Sequence, residues 1–156
     1  MPLAALVLSC LVVGISDGDT LTARCDNAAD PAQQTVRVRL AEIDAPESRQ
    51  AFGTRSRQNL ALLCFGQPAL VAPLVGSAGR DRYGRLVARV TCSGVDANAA
   101  QVRSGMAWVY RAYARDLSLL DLEADARIRA VGLWADSRPT PPWEWRADRR
   151  TPRHGS

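Results

Sequence analysis

Arg39-Leu40-Ala41-Glu42-Ile43-Asp44-Ala45-Pro46-Glu47 sets one cation and three carboxylates on a segment that begins as a strand and stops at a proline. Upstream, Val36, Val38 and Leu40 alternate with Arg37 and Arg39, the period-2 pattern of a half-buried strand over Thr35 to Ile43. Arg39 is therefore predicted on the face away from Val38. Pro46 lacks an N–H and fixes its own φ, so it ends the ladder and keeps Ala45 extended. Asp44 and Glu47 then fall at a strand end, where loops usually carry chemistry. Taken alone, the segment also fits an exposed edge strand with a solvated turn.

Two further stretches narrow that reading. Asp17-Gly18-Asp19-Thr20 is flanked by Val12, Val13 and Ile15 before it and by Leu21 and Ala23 after it, a strong hairpin signal. Asp81-Arg82-Tyr83-Gly84-Arg85 precedes a strand-like run, Leu86 to Val90. Asp-Gly-Asp-Thr, then an arginine followed by Asp-x-Pro-Glu, then Asp-x-Tyr-Gly-Arg, in this order, resembles the thermonuclease (staphylococcal-nuclease-like) family of calcium-dependent nucleases. The resemblance runs from about Leu11 to about Trp134. It implies an α+β fold: a five-stranded OB-fold-type β-barrel with three α-helices.

The same resemblance implies a site. Asp19 and Asp44 would be the Ca²⁺ ligands, with the backbone carbonyl of Ala45 completing the protein's share. The family often has threonine there, and alanine keeps the carbonyl while losing a hydroxyl. Arg39 and Arg85 match the arginines that grip the scissile phosphate, and Glu47 the carboxylate that orients or deprotonates the attacking water. Arg82 and Tyr83 fall where the family contacts the terminal phosphate of the bound nucleotide. Tyr113 matches an aromatic stacking near the base, although packing against the last helix is an equal reading. Arg111 stands where a neighbouring family tyrosine does and could stack through its guanidinium. The implied substrates are single-stranded or locally melted DNA and RNA, cleaved to 3′-phosphate ends. The alternative is a catalytically inactive OB-fold module that binds nucleic acid, but such a copy would usually have lost one of Asp19, Arg39, Asp44, Glu47 or Arg85.

Composition bounds these readings. A chain of 156 residues, 47% apolar and 23% charged, is ordinary for one globular domain and can bury a real core. No run approaches the roughly 18 apolar residues of a membrane span. A net charge of +4 makes a polyanionic partner plausible. All 20 basic residues are arginine, whose planar fork suits phosphate, although the absence of lysine fits genome composition equally well. A monomer is expected. Cys10, Cys25, Cys64 and Cys92 lack CxxC spacing and have only His154, in the tail, for company, which argues against zinc. Cys10 and Cys25 flank the Gly18 hairpin almost evenly, while Cys64 ends a helix and Cys92 a strand. Two disulfides, Cys10–Cys25 and Cys64–Cys92, in an oxidising compartment are one reading, and four buried thiols the other.

The rest of the chain fits one domain over 1–156. Residues 1–9 read as the end of a secretion signal's apolar region or as a leading strand, and the chain is expected to be secreted or periplasmic. A polar connection runs to Gln34. Thr54 is expected to cap a helix over Arg55–Phe65, with Leu60, Leu63 and Cys64 inward. Strands follow at Ala69–Pro73 and Leu86–Cys92, joined by a flexible Gly76–Gly79. A short helix after Asp96 ends before Gly105. A last helix from about Leu117 to Val131 has Leu120, Ala124, Ala126 and Ile128 as inward candidates. Residues 139–156 read as an extended Pro/Trp-containing tail with Trp143 and Trp145 packed back and 151–156 disordered. Glu42 reads as a distant acceptor near the ion or as a solvent-facing residue, and Asp17 and Asp81 read as turn residues.

Overall fold

The computed structural model describes residues 6–26, 35–74 and 79–150. The expectations for residues 1–5, the polar connection at 27–34, the approach at 75–78 and the end at 151–156 lie outside them. Strands β1 (Leu8–Asp17), β2 (Thr20–Cys25) and β3 (Thr35–Leu40) form a meander, and β4 is the short Ile43–Asp44. Helix α1 (Gly53–Cys64) precedes β5 (Pro68–Pro73), β6 (Leu86–Cys92) and β7 (Val95–Asp96). Helix α2 (Ala97–Arg103), strand β8 (Trp108–Val109), α3 (Ser118–Arg129), a 3₁₀ turn over Gly132–Ala135 and α4 (Pro142–Arg150) complete the chain.

The order β3-β2-β1-β5-β6 closes on itself because β3 and β6 pair in parallel, Val38 opposite Leu86 and Leu40 opposite Ala88. The result is the expected five-stranded barrel in an α+β fold, and closure removes the sheet edges. Alternation fills it: Val12, Leu21, Val38, Leu40, Val71 and Val90 are all buried, with Leu60 of α1 and Leu119 of α3 in the same core. Disulfides join Cys10 to Cys25, directly opposite in the β1–β2 register, and Cys64 to Cys92, tying α1 to β6.

Among the described residues four α-helices form where three were expected. The run after Pro139 is helical from Pro142, which sits at the first helical position where its missing N–H costs nothing. Proline in a first turn is indistinguishable by sequence from the extended tail expected here. Trp143 does pack back, stacked on Tyr110 at 5.4 Å and edge-on to Trp108 at 5.5 Å.

Three local expectations also shift. Helix α1 starts at Gly53 behind Phe52 in the left-handed region, with no side-chain cap, so Thr54 lies inside the helix. The third strand breaks at Glu42, whose φ of 69° sends Ile43–Asp44 out of the barrel to pair with Trp108–Val109. The inward stripe of α3 is Leu119, Glu123 and Ala126, while Ile128 is 84% exposed. A buried glutamate on that stripe explains why apolar periodicity alone missed it.

Candidate active site

The β1–β2 hairpin turns over two residues, Gly18 and Asp19, with Asp17 opposite Thr20. Glycine is required at 18 by close approach: a Cβ there would come within 1.7 Å of Ser56 Oγ and 2.9 Å of the Ala45 Cβ. The turn is pinned from behind by a buried side chain on α2. Gln101 Nε2 donates to the Gly18 carbonyl at 2.7 Å and to the Ser56 carbonyl at 3.0 Å, while Ser56 Oγ donates to the Met106 carbonyl. Asn98, also buried on α2, donates to the Ala41 carbonyl at 2.9 Å and accepts from the Val90 amide at 3.0 Å. Neither residue stood out in the sequence, where amides on a short helix look like solvent-facing polar positions.

Asp19, held this way, meets the segment after β4. Its Oδ2 accepts from the Ala45 amide at 2.8 Å and its Oδ1 from the Thr20 hydroxyl at 3.0 Å. Arg39, which does face away from Val38, reaches both aspartates with one nitrogen: Nη2 lies 3.5 Å from Asp19 Oδ2 and 3.4 Å from Asp44 Oδ1. Its Nη1 donates to the Leu40 carbonyl at 2.6 Å, which fixes the guanidinium plane. Both aspartates are buried. Arg85 joins through its Nη1, 3.4 Å from the Thr20 hydroxyl, with Nε anchored on Asp81 Oδ2 at 2.8 Å. Asp81 is the turn residue expected, accepting from the amides of Tyr83 and Arg85 as well.

Glu47 lies beyond Pro46, its amide held by Gln50 Oε1 at 3.1 Å. Gly53 lets α1 pack here, since a Cβ would sit 2.0 Å from the Glu47 carbonyl oxygen. The residue missed entirely is Arg146 of α4. It donates to both Asp44 oxygens, Nη2 to Oδ2 at 2.7 Å and Nη1 to Oδ1 at 3.1 Å, and its Nη1 also reaches Glu47 Oε1 at 2.7 Å. The available signal was helix-forming Glu144 to Arg150 behind a proline pair, which puts an arginine one turn after Trp143.

Asp19, Arg39, Asp44, Glu47, Arg85 and Arg146 line a cleft of about 980 Å³. Tyr83 and Tyr113 stand at its rim, 64% and 68% exposed. The Tyr83 hydroxyl accepts from Arg82 Nη2 at 2.7 Å, and Tyr113 packs edge-on to Tyr110 at 5.0 Å. Most of the Tyr113 side chain stays open at the cleft rim. Both terminal nitrogens of Arg111 bond Glu123, which also accepts from the Val109 amide at 2.6 Å, and the Arg111 side chain stays 56% exposed. Glu42 does not face bulk solvent, although it lines the same cleft as Asp19. It is buried, pairs with Arg89 and accepts from the Asp116 amide at 2.8 Å, because its left-handed φ turns it across the barrel end.

Burial dominates the electrostatics of two of the aspartates. Burial pushes the Asp17 carboxyl up to about 7, reinforced by Asp19 and Glu47, and its Oδ1 is buried without a hydrogen-bond partner. Burial likewise raises Asp44, opposed by the hydrogen bonds of Arg146 and the charge of Arg39. Donors that are oxygen only suit a hard divalent ion. Among the described residues no group of three or more His, Cys, Asp or Glu side chains converges to hold a metal by itself. A cation would therefore depend on the aspartate pair together with backbone carbonyl and water.

Residues 37–136 match the family model described as staphylococcal nuclease homologue. Similar proteins include an "uncharacterized endonuclease" of Haemophilus influenzae, 41% identical over 138 residues that cover 88% of this chain and 72% of the relative. Protein ParB of Escherichia coli is 43% identical over 148 residues, covering 88% and 78% respectively. A micrococcal nuclease of Shigella flexneri is 42% identical over 146 residues, covering 86% and 78%.

Proposed function

The chain belongs to the family of staphylococcal nuclease homologues, and we propose that it is a Ca²⁺-dependent nuclease that hydrolyses DNA and RNA and leaves 3′-phosphate ends. The observation that carries this reading is the convergence of Asp19 and Asp44 on one nitrogen of Arg39, at the floor of a cleft that also receives Arg85 and Glu47.

Asp19, Asp44 and the Ala45 carbonyl would hold the cation, which when bound withdraws charge from a phosphoryl oxygen. Arg39 and Arg85 grip the scissile phosphate and stabilise the charge that grows on its oxygens as water adds. Their orientation is prepaid by the Leu40 carbonyl and by Asp81, so little reorganisation accompanies the reaction. Glu47, at the cleft wall, positions the attacking water and takes its proton at a carboxylate oxygen. Arg82 and Tyr83 receive the terminal phosphate, and Tyr113 offers an exposed ring on which a base of a single strand can stack. Only a strand that is single or locally melted presents both its phosphate and its base to such a cleft.

Two disulfides support an oxidising location, secreted or periplasmic, and among the described residues no helix is long and apolar enough to cross a membrane. The test is incubation of the purified protein with single-stranded DNA and RNA, with Ca²⁺ and then with a chelator. Cleavage to 3′-phosphate ends with Ca²⁺ alone is the expected result. Cleavage that persists in the chelator excludes the calcium role, and binding without cleavage identifies a module that has lost catalysis.

A further inference from the structure

Helix α4 sends its Arg146 guanidinium onto the carboxylate proposed to hold the cation. The contact is bidentate on Asp44 and extends to Glu47. Asp44 Oδ1 also receives Arg39, so this buried side chain already faces two guanidinium groups. A calcium ion bound to Asp44 sits roughly 2.3–2.6 Å from a carboxylate oxygen. Arg146 Nη2 lies 2.7 Å from one of those oxygens and Nη1 3.1 Å from the other. A divalent cation and two guanidiniums cannot crowd one water-poor carboxylate without strong repulsion. Arg39 is the member that also touches Asp19 and is tied to the Leu40 carbonyl. Arg146 comes from a terminal helix seated through Trp143 on Tyr110 and Trp108, with the Gln50 side chain donating to the Thr140 carbonyl just before it.

We propose that Arg146 is the internal counter-ion of the Asp44 site, and that a divalent cation binds by displacing it, so that cation binding and the seating of α4 are coupled. This rests on the cation reading above. In the cation-free protein the guanidinium neutralises Asp44 and Glu47 and keeps α4 across the cleft. Cation binding releases the guanidinium towards the cleft, where Glu47 is freed to face water. Because coupling is reciprocal, the Arg146 contact weakens cation binding by the same factor by which the cation weakens that contact, so removing the contact strengthens cation binding.

The experiment is calorimetric titration of Ca²⁺ into the wild-type protein, Arg146→Met and Arg146→Lys, with tryptophan emission followed in parallel. Near-ultraviolet circular dichroism without cation establishes that each variant is folded. Arg146→Met is expected to bind Ca²⁺ about tenfold more tightly or better. Arg146→Lys, with one point charge in place of the fork, should fall between, and it carries the test by direction if the methionine variant does not fold. Ca²⁺ should change the emission of the wild type as Trp143 shifts, and the change should shrink in Arg146→Met. Equal or weaker Ca²⁺ binding by the variants, with the wild type binding normally, overturns the displacement and leaves the cation site standing. No Ca²⁺ binding by any of the three overturns the site and the displacement together.

Discussion

The Ala45 amide donates a 2.8 Å hydrogen bond to Asp19 Oδ2, joining residues 26 positions apart in the chain. Through this bond the tip of the first hairpin is locked to the segment leaving β4, and the two aspartates face one point. Asp19→Asn keeps an acceptor for that amide while removing the charge. The fold should survive, with the free energy of urea unfolding changed by about 1 kcal/mol. Ca²⁺ affinity, measured by calorimetry, should fall by an order of magnitude or more, since the ligand charge count sets affinity.

Arg39→Ala, Arg85→Ala and Glu47→Gln test the reacting groups. Each should lower kcat by about 10²–10³-fold or more with the secondary structure intact, because these groups act on charge that develops in the transition state. A Glu47→Gln enzyme with wild-type turnover would remove the proposed water-positioning role.

Glu123 should matter for stability rather than for turnover. It is 1% exposed and accepts from the Val109 amide, Arg111 and Arg127, so it anchors the strand that pairs with Asp44. Glu123→Ala strands a buried amide and should cost about 1–3 kcal/mol in urea unfolding. The arginines lose less, because both side chains are substantially exposed and can turn to water.

Acid should weaken the protein partly through Asp81. Burial acts to raise its carboxyl, but hydrogen bonds from Arg85 and the Tyr83 amide outweigh that and hold it below the usual carboxylate range. A depressed folded pKa means stability that is present above the unfolded value of about 3.9 and lost as pH falls through the folded one. Asp116, lowered by Ser118 and Arg89, has the same sign. Asp81→Asn should therefore start less stable at pH 7 and lose less between about pH 4 and pH 2, read from urea midpoints across that range.

Reduction offers a separate check on the crosslinks. Cys64→Ala/Cys92→Ala opens a loop of 28 residues in sequence separation that ties α1 to β6. Loss of about 3–4 kcal/mol is expected in guanidinium unfolding. The wild type in reductant should approach the stability of a variant lacking both bridges.

Several strands of the barrel were legible because they alternate. Val36, Val38 and Leu40 announce their own periodicity, and the Asp17–Thr20 stretch announces a turn, since two-residue hairpins draw on few residue types. Arg39 could be assigned a face from that alternation alone. Where a buried position is polar, the same logic goes silent. Glu123 hid the inward face of α3, and Asn98 and Gln101 looked unremarkable on a short helix although both are fully buried. Their value lies in satisfying backbone groups from other elements, which no local pattern encodes.

By itself the sequence determined the hairpin that carries Asp19 and the strand that carries Arg39, consequences of period-2 burial and turn chemistry acting over a few residues, while the closed barrel was implied by the family resemblance that the order of the charged motifs carries. Tertiary structure alone decided that the break at Glu42 would hand Asp44 to β8, that Gln101 would brace the Gly18 turn, and that a proline-led helix would return Arg146 to Asp44 across 102 positions. The physical reason is range. Backbone propensity acts between neighbours, whereas a buried charge or carbonyl selects its partner from whatever the closed barrel brings within hydrogen-bond reach, however distant in the chain.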